Sequence, residues 1–64
     1  MKVQIHYWVT EEDGKTRTGH SVKGIILGVY ADKKGEPYLM FAYEPLYMIG
    51  SIAKKDLISC MPLN

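Results

Sequence analysis

Along the first strand-length of chain, Val3, Ile5, Tyr7 and Val9 alternate with Lys2, Gln4, His6, Trp8 and Thr10. A period of two belongs to a strand with one buried face, so the pattern predicts a strand over these residues with Trp8 and His6 turned outward. The run Glu11-Glu12-Asp13-Gly14-Lys15 comes next. Asp-Gly predicts a two-residue hairpin turn, because both central positions of such a turn accept positive φ. That turn sets Glu12 opposite Lys15, Thr10 opposite Arg17 and Val9 opposite Thr18, and the opposite charges of the first pair fit the register.

From Lys15 to Gly24 the only large apolar residue is Val22. Such a stretch carries little core, and it predicts an exposed or irregular arm with bends at Gly19 and Gly24. Residues Ile25 to Ala31 are apolar on both faces, Asp32-Lys33-Lys34-Gly35 supplies a turn, and Tyr38 to Tyr43 completes a second hairpin. Glu44-Pro45 marks a break before another strand from Leu46 to Ile52. Ala53 to Leu57 is too short for a stable helix but suits one 3₁₀ turn near residues 53–56. Leu57 to Met61 reads as the closing strand, ended by Pro62. Five to six short antiparallel strands, regular turn signals and no amphipathic helix define an all-β fold, a small barrel filling one domain over residues 1–64.

The order of these parts resembles the SH3-like small barrels: an irregular first hairpin, the long strand around Gly24-Ile25-Ile26-Leu27-Gly28-Val29-Tyr30, two further strands, then a short turn at Ala53 to Asp56 before a last strand. The resemblance spans nearly the whole chain and rests on architecture. The chain departs from the signalling SH3 domains in lacking their Ala-Leu-Tyr-Asp-Tyr opening and paired Trp, so proline-rich peptide recognition is not implied. It likewise departs from the type II dihydrofolate reductases: Leu46-Tyr47-Met48-Ile49 stands without the amide that their Val-Gln-Ile-Tyr motif supplies.

The two-sided apolar character of residues 25–31 and 38–49 changes the picture most. Alternate residues of a strand face opposite sides, so Leu39, Phe41 and Tyr43 cannot share the interior with Tyr38, Met40 and Ala42. Either the first arm or the termini fold over the second face, or another molecule covers it. Tyr and Met are residue types that interfaces favour, which makes Trp8, Tyr30, Tyr38, Met40, Tyr43 and Tyr47 the candidate partner-binding residues. Self-association as a dimer or higher homo-oligomer is the expected form.

Composition narrows the alternatives. With 64 residues, the chain buries only about 60% of its unfolded surface, a core that self-association would support. A single cysteine, Cys60, excludes an internal disulfide and fits a reducing, cytoplasmic setting. No apolar run nears membrane-span length, no secretory signal follows Lys2, and Met1 is expected to begin the mature chain. The formal net charge of +1 gives little long-range pull on polyanions.

Two local sets carry candidate chemistry. Lys15, Arg17, His20 and Lys23, interleaved with Thr16, Thr18 and Ser21, form a basic and hydroxyl-rich arm that could hold phosphate. Glu11, Glu12 and Asp13 sit beside it and offset its charge, so a solvated hairpin explains the same residues. Lys33-Lys34 and Lys54-Lys55 read as solubility devices on turns unless the fold joins them. No nucleophile elbow, paired-carboxylate segment or Cys-His signature is present, and His6, His20 and Cys60 lack metal-ligand spacing. The expectation is a non-enzymatic binding module needing no cofactor, metal or membrane: an oligomeric protein-binding adaptor or inhibitor, of the kind phages and mobile elements encode. The alternatives are a barrel binding nucleic acid through Trp8, Tyr30 and Tyr43, and an oligomer sequestering a small anion where copies of the basic arm converge.

Overall fold

The computed structural model describes residues 1–63. Five antiparallel strands form one sheet: β1 (Lys2–Thr10), β2 (Arg17–Ala31), β3 (Pro37–Tyr43), β4 (Met48–Ala53) and β5 (Leu57–Pro62), with one 3₁₀ turn, Lys54–Asp56, before the last. Their order across the sheet is β4-β3-β2-β1-β5. The all-β expectation and the 3₁₀ turn hold. β1 and β3 are not hydrogen-bonded neighbours, yet Val3 and Ile5 of β1 are buried in one cluster with Phe41 of β3 and Ile52 of β4. The sheet therefore rolls on itself, and Tyr7, Val22, Leu39, Tyr43, Leu57 and Cys60 complete the packing.

The first turn differs from the two-residue form expected of Asp13-Gly14. Of the two residues only Gly14 has positive φ, at 73°. The chain instead closes with Glu11 N–H donating to the Thr16 carbonyl and Gly14 N–H donating to the Glu11 carbonyl. Asp13 does not occupy a left-handed position because its carboxylate is used to accept from the Lys15 and Thr16 amides, 2.8 Å each, and from the Thr16 hydroxyl. The expected strand register survives: Thr10 pairs with Arg17 and Val9 with Thr18. Asp32 and Gly35 repeat the device in the second turn, where the Asp32 carboxylate accepts from the Lys34 and Glu36 amides and Gly35 has φ 82°.

Two further corrections follow from hydrogen bonding along the strands. The arm expected from Lys15 to Gly24 is a regular strand from Arg17 onward, continuous with residues 25–31, because β1 pairs with it residue for residue up to Ile25. It is exposed, as its composition implied, yet Gly19 makes no bend. Gly24 serves a different purpose: a Cβ there would lie 2.2 Å from the Ala42 carbonyl oxygen and 2.9 Å from Tyr43 Cα. Only glycine permits β2 to leave β1 and take up β3 at that point. The strand expected from Leu46 begins at Met48 instead, since residues 44–47 form a turn with Tyr47 at φ 53°.

Two register shifts place apolar side chains at the surface. Between Ile26 and Gly28 the β2–β3 pairing slips, leaving Leu27 unpaired and 48% exposed. A second slip lies opposite His6 and Tyr7 and leaves Ile58 out of the β1–β5 register. Such bulges bend a strand and sharpen its twist, which is how one sheet of five strands curls enough to bury Ile5 completely.

Candidate functional site

Strand alternation and register decide which candidate residues meet. Tyr30 pairs with Tyr38, and Tyr38 with Ala53; Gly28 pairs with Met40, and Met40 with Ser51. Directly paired residues share a face, so Tyr30, Tyr38 and Met40 lie together on the outer face of β2, β3 and β4. The rings of Tyr30 and Tyr38 stack with centroids 5.4 Å apart and planes 14° from parallel. The Tyr30 hydroxyl donates to Ser51 Oγ at 3.0 Å, which ties the stack to β4.

Trp8 lies on the outer face of β1, opposite Gly19, and is 41% exposed. A Cβ at Gly19 would sit in ordinary van der Waals contact with the edge of the indole, 3.9 Å away. The Arg17 guanidinium sits 5.4 Å from the indole centroid while donating to the Asp56 carboxylate at 2.8 Å. One arginine thus joins the first hairpin to the 3₁₀ turn and roofs one side of Trp8. Because the sheet rolls, Trp8 and Tyr38 line the same depression of about 450 Å³, with Tyr7, Val9, Ser51 to Ala53, Lys55 and Asp56. An aromatic body with a charged rim is the usual make-up of a recognition groove.

The remaining two aromatic candidates stand apart. Tyr43 points inward, tilted against Phe41 at a centroid distance of 5.9 Å, and with Tyr7 it lines a cavity of about 260 Å³ at the mouth of the roll. Tyr47 occupies the turn before β4, beside the ion pair of Lys2 with Glu44. That pair lowers the Glu44 carboxyl below its ordinary range through the Lys2 hydrogen bond and raises Lys2 by the same bond.

The basic arm does not converge. Arg17 and Lys23 share one face with Thr10 and Gln4, whereas His20 lies on the opposite face, exposed, and stacks on Tyr7 at 5.9 Å. The Thr18 hydroxyl meets both Glu11 and His20 Nε2, and Lys15 lies in the turn. Among the described residues no three His, Cys, Asp or Glu side chains gather as a metal site. No helix of the described residues is long and apolar enough to cross a membrane.

Sequence reasoning missed the contributions of Ser51, Lys55 and Asp56 to the groove. Asp56 is 39 positions from Arg17, and nothing local marks such a pairing. No protein-family model, curated protein or solved structure matches the chain.

Proposed function

We propose that the chain is a non-enzymatic binding module of the SH3-like small-barrel kind, self-associating and acting in the cytoplasm as an adaptor or inhibitor by holding another protein. The strand order β4-β3-β2-β1-β5, with a 3₁₀ turn before the last strand, supports the barrel assignment. The observation that carries the functional reading is the uncovered apolar surface. Neither the first hairpin nor the N-terminal residues cover this surface: Tyr30 and Ile49 on the outer face, Leu27 at its bulge, Leu46 in the turn, and Val29 and Met48 at the strand ends are all exposed. Surface of this extent marks interaction sites, and Trp8 and Tyr38 across their groove are the rigid anchors for the bound protein.

The test is affinity capture of the tagged chain from host lysate, with and without nuclease, beside a Trp8→Ala/Tyr38→Ala variant. A stoichiometric protein retained after nuclease and lost with the variant is the expected result; retention by the variant overturns the groove as the site.

A second reading, single-stranded nucleic acid, draws on one observation. Tyr30, Tyr38 and Ala53 share a cross-strand row, so Lys54-Lys55 and the Lys33-Lys34 turn come to the same end of the sheet as the stacked tyrosines. Stacking platforms flanked by cations suit single strands. This reading requires binding that falls steeply with salt and capture that nuclease abolishes.

A further inference from the structure

We infer that the exposed half of β4, Met48–Ser51, is the seam of a symmetric dimer, in which a second copy of this chain lays its own β4 antiparallel alongside. The inference rests on the reading of the apolar surface as an interface and names the occupant of one part of it. β4 and β5 are the two edges of the sheet. Natural edges are blunted by proline, charge, bulges or short length. β5 carries Pro62 and the register slip that expels Ile58. β4, Met-Ile-Gly-Ser-Ile-Ala, has neither charge nor proline, and its pairing with β3 runs unbroken from Tyr38–Ala53 to Tyr43–Met48.

Exposure singles out the same stretch. Ile52 and Ala53 are buried, whereas Leu46, Tyr47, Met48 and Ile49 are four consecutive residues exposed by 77%, 45%, 55% and 69%. The lysines of the two copies do not face each other. An antiparallel two-fold centred within Met48–Ser51 sets Lys54 of each copy opposite residues 42–48 of the other, none of which is basic, and the Lys2 nearest them is already paired with Glu44.

The surface of the lone chain is also larger than its mass calls for. The chain exposes 4791 Å², whereas a monomer of its mass is expected to expose about 4,200 Å². The excess of roughly 600 Å² is surface that a compact lone domain would have folded away and that pairing with a second copy would help to cover. The radius of gyration, 12.1 Å, likewise exceeds the about 10.7 Å expected of a lone domain of this length.

The experiment is light scattering and sedimentation equilibrium on the intact chain and on Met48→Lys/Ile49→Lys, whose altered side chains are exposed, with circular dichroism to verify the fold. The intact chain is expected at twice its 7.3 kDa, and the variant, folded, with a dimer dissociation constant raised at least about 100-fold. Spin labels on Ser51→Cys in a Cys60→Ser background should give one short distance between copies, and labels on Ile58→Cys a longer one. A strict monomer at high concentration overturns both the seam and self-association. A dimer that survives Met48→Lys/Ile49→Lys, or shows the shorter distance at Ile58, overturns the seam and leaves self-association standing.

Discussion

Single side chains here act through geometry that can be tested one at a time. Ile5 is wholly buried in a core with, among the described residues, four other buried apolar residues, so Ile5→Ala removes contacts that nothing nearby can replace. A loss of about 2–5 kcal/mol is expected, a large share of the stability of a chain this small, and thermal unfolding followed by circular dichroism measures it. Gly24→Ala forces a Cβ onto the Ala42 carbonyl and should cost at least about 2 kcal/mol, whereas Gly28→Ala meets open space and leaves the urea midpoint nearly unchanged. Asp13 and Glu44 have lowered pKa values, the first through the Thr16 hydroxyl and amide and the second through Lys2. The unfolded chain then binds more protons in acid than the native one. Their contribution is complete above the ordinary carboxylate range and is lost as pH falls through the lowered values. Lys2 is raised, so its share is present below the ordinary lysine range and lost as pH climbs through the raised value. Asp13→Asn and Glu44→Gln should each flatten the acid limb of a plot of urea midpoint against pH.

Elements were legible wherever side-chain alternation decided them. β1, the outward Trp8, the second hairpin, the 3₁₀ turn and β5 all follow from period-two patterning and turn residues. The hydroxyl-rich half of β2 was not legible as a strand, because its regularity comes from backbone pairing with β1 and not from its own side chains. The bulges at Leu27 and Ile58 were hidden for a related reason: a register slip is a property of two strands together. The groove was half legible. Trp8 and Tyr38 could be named as surface aromatics, but their meeting depends on how far the sheet rolls, and Tyr43 turned inward although its residue type suited an interface. The Arg17 contact gives this level a prediction. In the isolated protein Trp8 emission should be quenched by acrylamide, and Arg17→Ala should shift it to the red as the guanidinium and its tie to Asp56 are lost.

For the molecule as a whole, the long second strand belongs to two hairpins. Its residues 17–25 pair with β1 and 24–31 with β3, so the two pairings overlap only at Gly24 and Ile25. Those two residues work as the spine of a book whose covers are the first hairpin and the β3–β4 pair. Trp8 is printed on one cover and Tyr38 on the other, and the carbonyl of Ala42 pressed against Gly24 fixes how wide the volume stands open. The width of the depression between Trp8 and Tyr38 therefore depends on a backbone crossing that lies outside its lining.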